Sequence, residues 1–535
     1  MDPQVRADLE IHEVELDGRS VHLLVDPVVR QKYAIEADGA KLIALLKQSG
    51  GVSAVKSKLT AELGGEFDPN EIDQFVARLG RMGLLVDGAD SQRRRVFARG
   101  ELERQRLNEL RQLVAYAMDK VPYYRKRYGA LGIKPEKLNS LEDFARLPFL
   151  TREDVRQNFP EGFLPDGLDA AAATASGEIR FTMSSGTTGA RLQFASSERR
   201  RSAQEISGQL INWLFFDPKS IYRAAVFTTL RCSGMVCARD MPQMEARIAG
   251  NHVTLLPAED PAAPTLAEAQ KMLKELEAHG AQWLVADPAY LVLLSHLIAD
   301  QKLAVPKLRG ILSGYEFLSD LHRGFIERLW GCPMFDQYTS TELGKVMMLE
   351  CEHKTLHVND AHLYSELIRD GVAVGPGQTG RVVQTTLKET IPLIRYDTGD
   401  LAVAADRSYG CACGGVNSVV ACVAGRGRDV FAAVDGRLCT TRDLDRVLAP
   451  LGGIRFYQLV QETPDRYAIS VIPAPEADSA SLTAAVAQAV RGLIGATGQV
   501  DVKIKRRIYP EMSGKFQLTR SDVIPAPEFL LEASP

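Results

Sequence analysis

The 535-residue chain is too long for one ordinary domain, at roughly 150 residues per domain, and can bury several cores. With 45% hydrophobic and 25% charged residues its composition is unlike that of a disordered or membrane chain, and a net charge of −4, from 64 basic and 68 acidic residues, gives no footprint for nucleic acid or an anionic membrane. No apolar run reaches the roughly 18 residues of a spanning helix, and the N-terminus, MDPQVRADLEIHEVELDG, is acidic where a signal peptide would be basic and then apolar; a cytoplasmic location is expected.

From about Arg19 to Gly88 the pattern predicts a small module: a strand (VHLLV), three amphipathic helical segments (YAIEADGAKLIALLKQSG, VSAVKSKLTAELGG, PNEIDQFVARLGRMG) and an apolar end (LLVDG). Val52, Val55, Leu59 and Leu63 recur at helical spacing. Lys41, Lys47, Lys56 and Lys58 are offset by Glu36, Asp38, Glu62 and Glu66, so there is no basic stripe for DNA. This winged-helix-like unit, residues 1–90, resembles the PqqD-like peptide-recognition domain of the pyrroloquinoline quinone chaperone type. The resemblance implies a precursor peptide or carrier protein as partner, added as a strand along the edge of VHLLV; docking on the rest of the chain is the alternative.

A basic linker (SQRRRVFAR) follows. Leu107, Leu110, Leu113, Val114 and Met118 then mark one face of a helix ending at Val121-Pro122. Beyond Asp166, apolar and β-branched runs (RAAVFTTL, AQWLVAD, RGILSG, RVVQTTL, PLIRYD, VNSVVACV) alternate with helical patterns (TLAEAQKMLKELEAHG, SDLHRGFIERLWG), predicting α/β layers with largely parallel strands. From Arg428 a smaller α+β domain is expected, with DLDRVLAPLG and SLTAAVAQAVRGLIGATG as helices and YQLVQE, YAISVIP and VKIKRRI as strands.

The sharpest motif is FTMSSGTTG, in which Ser184, Ser185, Gly186, Thr187, Thr188 and Gly189 form a glycine- and hydroxyl-rich stretch. Such a turn lets backbone N–H groups and hydroxyls surround phosphate oxygens without side-chain clash. No Gly-Lys-[Ser/Thr] follows, so it is not a Walker loop. Five further segments follow in order: SGYE (Ser313, Gly314, Glu316), DQYTSTE (Tyr338, Thr341, Glu342), RYDTGD (ending at Asp400), GRGRD (with Arg426) and SGKFQ (with Lys515). Taken singly, each could be a core aromatic, a turn former or a surface charge.

In this order and spacing they resemble the adenylate-forming ligases, and LVAYAMDKVPYYRKRYGALGIKPEKLNSLEDFARLPFLTREDVRQNFP resembles the start of the phenylacetate-CoA ligase branch, so the likeness covers about residues 100–525. It implies a multi-layer α/β large domain, residues 100–427, and a mobile α+β lid, residues 428–535, turning about Arg428-Asp429. By the same resemblance Ser313, Gly314 and Glu316 belong to the adenine turn, Tyr338 stacks on adenine, Thr341 meets the α-phosphate and Glu342 holds Mg²⁺. Asp400 binds the ribose, Arg426 opens the hinge, and Lys515 is the mobile catalytic lysine. The substrates implied are ATP and a small carboxylic acid, with coenzyme A as default acceptor. Two positions depart from the family: Ala190-Arg191 stand where lysine and proline are common, and Thr339 stands where glycine is common beside the acyl pocket. A carrier thiol, an amine or nitrogen–nitrogen bond formation are alternative acceptors, and a peptide-binding scaffold with an inactive ligase domain is the rival from another class.

Cys351 and His357 in ECEHKTLHV, with the Cys411-Ala-Cys413 pair, offer three thiolates and one imidazole. That donor set suits tetrahedral Zn²⁺ in a closed structural site, and some members of the branch carry a comparable one; His353 is an alternative fourth ligand. Cys232, Cys237, Cys332, Cys422 and Cys439 have no such grouping and read as buried or incidental thiols.

Overall fold

The computed structural model describes residues 3–16, 19–26, 31–49, 51–63, 69–81, 84–86, 99–183, 192–196, 222–227, 241, 243–256, 258–260, 262–360, 362–387, 389–413, 417–511 and 513–523. The glycine- and hydroxyl-rich segment 184–189, the departures Ala190 and Arg191, and Cys232 and Cys237 lie outside them. The chain divides into two compact units, one up to Arg106 and one from Leu107 on, apart from Glu205–Tyr222, which groups with the first.

In the first unit the three expected helices form as Ala37–Gln48, Val52–Leu63 and Pro69–Arg81. Ile43, Leu46, Val52, Val55, Ile72, Val76 and Leu79 line its buried core, while Leu59 packs at the margin. Two strands were not expected. Glu10–Leu16 and Gln31–Ile35 flank Arg19–Asp26 in an antiparallel sheet, so the start of YAIEADG is strand and the helix begins after Glu36. VHLLV is therefore the central strand with both sides paired, and it cannot receive an added peptide strand; only its two neighbours are outer strands.

The second unit is built on a sheet that has 13 strands among the described residues. From His252–Thr254 through Ala224–Phe227, Trp283–Ala286 and Gly310–Ser313 to Met334–Ser340, neighbours run parallel. A parallel pair needs a crossover of about a dozen residues or more, and the helices Leu266–His279, Pro288–Asp300 and Asp320–Trp330 supply it. Beyond Met334–Ser340 the expectation of largely parallel strands fails. Lys345–Glu350, Leu356–Val358, Ser418–Arg426, Tyr396–Tyr409, Thr379–Thr386 and Leu363–Arg369 pair antiparallel. The reason is connection length: only Cys351–Thr355 separates Lys345–Glu350 from Leu356–Val358, enough for a hairpin and too short for a crossover. PLIRYD is likewise strand only from Tyr396.

The helix Arg99–Lys120 stops before Pro122, as expected, and buries Leu110, Leu113 and Val114. Residues after Phe431 form the smaller α+β part, with helices Thr441–Leu448 and Ser479–Ile494 on a four-stranded sheet ordered Gln499–Ile504, Arg466–Pro473, Ile454–Thr463, Thr519–Ser521. Its core is continuous with that of the parallel strands, since Leu318, Ile326 and Trp330 cluster with Leu444, Phe456, Tyr457 and Phe516. The expected large and small domains thus form one compact unit in this structure.

One buried contact in that shared core sets a pH dependence. His322, fully buried, stacks on Phe456 at 4.7 Å, and burial pushes its pKa down to about 3. Below about pH 6.5 the unfolded chain binds a proton that the folded chain refuses until about pH 3, so stability falls with pH through that window. At about pH 5 the loss is about 2 kcal/mol. His322→Phe should shrink the drop in thermal midpoint between pH 7 and pH 5; an unchanged drop would refute the assignment.

Candidate active site and metal centre

The parallel strands end on one edge, and the segments that follow them carry the expected nucleotide residues. Ser313 closes Gly310–Ser313, is fully buried, and is followed by Gly314, whose N–H bonds to Ala286 O at 3.1 Å. The next residue, Tyr315, takes a left-handed φ of 74°, uncommon for a side chain of that size. The turn aims the Tyr315 carbonyl at Lys515, whose Nζ donates to it at 2.8 Å. Glu316 faces the same loop, its carboxylate accepting from Phe516 N at 3.0 and 3.1 Å.

DQYTSTE straddles the junction of the two halves of the sheet. Met334–Asp336 pair parallel with Ile311–Ser313, while Gln337–Ser340 pair antiparallel with Leu349–Lys345. The register shifts between Tyr338 and Thr339, as at a bulge, a device that re-aims side chains. Tyr338 OH donates to Asp400 Oδ2 at 2.5 Å and Thr398 Oγ1 at 3.3 Å, bringing two residues 62 apart into direct contact. Thr341 and Glu342 stand in the turn beyond the strand, and Ser340 Oγ donates to Glu342 Oε2 at 2.7 Å. Arg152 lies 3.8 Å from the other Glu342 oxygen. Thr339 is exposed.

Asp400 lies opposite Arg426 on the neighbouring strand, with Arg426 Nε 3.7 Å from Oδ1. Burial raises the Asp400 pKa, while Arg426, Tyr338 and Lys515 oppose the shift. The GRGRD segment closes the large sheet and opens the smaller part. Gly425 there has φ 123°, and a Cβ would meet Thr441 Oγ1 at 2.9 Å, so only glycine fits. Arg428 pairs with Glu511 at 3.2 Å and Asp429 accepts from Gln517 Nε2 at 2.7 Å, which ties this segment to the Lys515 loop.

Glu316, Tyr338, Glu342, Asp400, Arg426 and Lys515 are thus linked through shared contacts or mutual charge effects, while Ser313 and Gly314 lead into the turn whose Tyr315 carbonyl holds Lys515. Three neighbours were not anticipated. Asp287, fully buried, caps the helix Pro288–Asp300 through Oδ1 (Ala289 N at 3.0 Å, Tyr290 N at 3.3 Å). Burial raises its pKa, and the Lys515 charge opposes that. Tyr290 OH donates to Gly514 O at 2.5 Å, and Arg152 faces Glu342. Asp287-Pro288 reads as a helix start, but nothing local announces a partner over 200 residues away.

The cysteine cluster forms as expected. Cys351 follows Lys345–Glu350, and the five-residue turn is closed by Cys351 N to Thr355 O (3.0 Å), with Lys354 at φ 57°. His357 is buried on Leu356–Val358, and Cys411 and Cys413 follow Tyr396–Tyr409, which lies one strand further along the sheet, beyond Ser418–Arg426. The four ligand atoms all lie within 4.8 Å of one another, with Cys351 Sγ–Cys411 Sγ at 3.7 Å and Cys413 Sγ–His357 Nε2 at 3.3 Å. Zn–S bonds of about 2.3 Å and Zn–N bonds of about 2.0 Å in a tetrahedron require edges of about 3.8 Å (S···S) and 3.5 Å (S···N), so the donor set fits a closed zinc site. Burial lowers the His357 pKa, favouring the neutral ring a metal needs. His353, the alternative ligand, is exposed and outside the group. Cys332 and Cys439 are buried and Cys422 is half-buried, none of them in the cluster. Among the described residues no helix is long and apolar enough to cross a membrane.

No protein-family model matches the chain. It is 26% identical over 318 residues to phenylacetate-coenzyme A ligase of Pseudomonas putida, covering 56% of this chain and 66% of that one, just under two thirds of the relative's length. To the ligase of the same name from Escherichia coli (strain K12) it is 25% identical over 311 residues, 56% of this chain and 67% of that one. Among solved structures, 2-hydroxyisobutyryl-CoA ligase in the postadenylation state superposes with a TM-score of 0.62 at 18% identity, over 83% of this chain and 95% of that chain. The chain is a distant homologue of the phenylacetate-coenzyme A ligases, built on the mixed α/β fold of adenylate-forming acyl-CoA ligases.

Proposed function

We propose that the protein activates a carboxylic acid with ATP as its acyl-adenylate and passes the acyl group to a thiol, coenzyme A by default. The observation that carries this reading is the seating of Lys515 against Tyr315, on the edge that also gathers Tyr338, Glu342 and Asp400. In the first step a carboxylate oxygen attacks the α-phosphorus of ATP and pyrophosphate leaves with the bond's electron pair. In the second the thiol attacks the acyl carbon and AMP leaves.

Tyr338 stacks on adenine in this reading, and its hydroxyl, already bonded to Asp400, orients that carboxylate toward the ribose. Thr341 and Ser184, Ser185, Gly186, Thr187, Thr188 and Gly189 surround the phosphates. Glu342, held by Ser340, would bind Mg²⁺, which when bound neutralises the leaving pyrophosphate. Lys515 bridges the incoming carboxylate and the α-phosphate, placing a cation where charge develops. The residues after Asp429 then swing as a lid about Arg428-Asp429. The test is pyrophosphate release across aryl, aliphatic and amino acids, with and without coenzyme A; no release with any acid would leave the inactive-scaffold reading standing.

Residues 1–90 are proposed to recognise a peptide or carrier, with Gln31–Ile35 or Glu10–Leu16, the outer strands, as the pairing edge. A chain starting at Ser91 should keep ATP use with a free acid and lose any peptide or carrier acceptor; unchanged acceptor use would remove this role.

The cluster of Cys351, His357, Cys411 and Cys413 is proposed to hold one structural zinc, pinning the Cys351 hairpin to the loop after Tyr409. Protein purified without added metal should contain about one zinc per chain. Replacing both Cys411 and Cys413 by serine should lower the thermal midpoint and leave the KM for ATP unchanged. Natively purified protein without zinc would end the proposal.

A further inference from the structure

The loop that carries Lys515 is held at three consecutive residues by the large domain. Tyr290 OH donates to Gly514 O at 2.5 Å, Lys515 Nζ donates to Tyr315 O at 2.8 Å, and Phe516 N donates to the Glu316 carboxylate at 3.0 and 3.1 Å. The Phe516 ring closes the seat, edge-on to Tyr290 at 5.4 Å. Within the loop Glu511 N bonds to Lys515 O and Gly514 N to Glu511 O, both at 2.8 Å, and Gly514 has φ 82°. Glu511, Gly514 and Lys515 are therefore tied to one another as well as to the seat. Resemblance alone puts Glu316 at adenine; the geometry puts its carboxylate on the backbone of the lysine loop.

We propose that Glu316 and Tyr290 are positioning residues for Lys515: they seat its loop on the large domain for acyl-adenylate formation and release it when the lid turns for acyl transfer. The inference rests on the function proposed above and assigns two residues to one half of it. Both Glu316 oxygens accept from one backbone donor, which side-chain rotation cannot misplace, so Glu316 fixes the backbone of the loop where a contact to the lysine head fixes only its side chain. Neither residue touches the second half-reaction, because the seat is empty once the lid has moved. Asp287 stands behind Tyr290, capping the helix that presents it.

Two measurements test the proposal in the full-length protein. The first, which needs no known substrate, is the labelling rate of Lys515 by an amine-reactive reagent, read by mass spectrometry. Glu316→Ala and Tyr290→Phe should each raise it several-fold while Glu316→Gln, whose amide oxygen still accepts from Phe516 N, stays near wild type. The second compares half-reactions: ATP–pyrophosphate exchange with an accepted acid, and thioester formation from synthetic acyl-adenylate and coenzyme A. Glu316→Ala should lower the exchange kcat roughly ten- to a hundredfold, with the KM for ATP nearly unchanged and the thioester step unaffected. A raised KM for ATP at constant kcat, equal losses in both halves, or unchanged labelling in both variants would overturn the proposal. Wild-type protein that seats Lys515 but exchanges no pyrophosphate with any acid would instead overturn the proposed function. If Glu316→Ala lowers the thermal midpoint, Tyr290→Phe, which deletes one hydroxyl, decides.

Discussion

Lys515→Ala should lower acyl-adenylate formation by about 10²-fold or more, the scale seen when one preorganised contact to developing charge is removed. The structure makes this a clean substitution. Glu511 N bonds to the Lys515 carbonyl, Gly514 O accepts from Tyr290 and Phe516 N donates to Glu316, all through backbone atoms that alanine retains. The loop should therefore dock as before with only the ammonium missing. The proposed ATP contacts at Tyr338 and Asp400 are carried by other elements, so ATP affinity should change little. Isothermal titration with ATP and pyrophosphate release with an accepted acid separate the two effects; wild-type release by the variant would remove Lys515 from the chemistry. Thioester formation from preformed acyl-adenylate should survive, because the second step does not use this cation.

The motifs that carry this prediction were legible because each is short and self-announcing: SGYE ends a strand, RYDTGD opens one, SGKFQ has the glycine its turn requires. Their mutual contacts were not legible. Tyr338 meets Asp400 across 62 residues and Tyr290 meets Gly514 across 224, and no local pattern encodes such pairings. The same gap explains the antiparallel half of the sheet. A run such as RVVQTTL, whose strand is buried from Gly380 to Thr386, carries no polar alternation that would tell parallel neighbours from antiparallel ones. Strand direction followed only from connection lengths. In the first unit, Glu10–Leu16 and Gln31–Ile35 are rich in Glu, Gln and Lys, so their β character was hidden until Arg19–Asp26 was seen to need partners on both sides. The cluster of Cys351, His357, Cys411 and Cys413, by contrast, was legible as a set, since a Cys and a His six residues apart and a Cys-X-Cys pair are rare enough to stand out.

Arg395 shows what a motif reading can overlook. In RYDTGD attention falls on Asp400, yet Arg395 is among the largest fully buried side chains of the protein. Its guanidinium grips Glu366 in a two-pronged pair at 3.0 and 3.1 Å, bonds to Leu147 O and lies 4.5 Å from the centre of the Phe149 ring. Its backbone, at φ 50°, bonds Thr385 Oγ1 at 2.9 Å and places Leu150 beside Tyr396, so the pair anchors the strand that presents Asp400. Arg395→Met should destabilise by about 3–5 kcal/mol, because it strands a buried carboxylate. The sign with pH is distinctive. Burial raises the Glu366 pKa and Arg395 alone opposes it, so in the variant the folded state binds a proton at Glu366 well above the usual carboxylate range. Above that folded pKa the full penalty applies; as pH falls through it toward the unfolded value the penalty shrinks. Urea midpoints at pH 8 and pH 5.5 should therefore differ less from wild type at the lower pH. Adding Glu366→Leu to Arg395→Met should recover much of the loss, since an apolar pair of similar bulk replaces the ions. A double variant no more stable than Arg395→Met would mean that the guanidinium's bond to Leu147 and its contact with Phe149, not its charge, hold the strand in place.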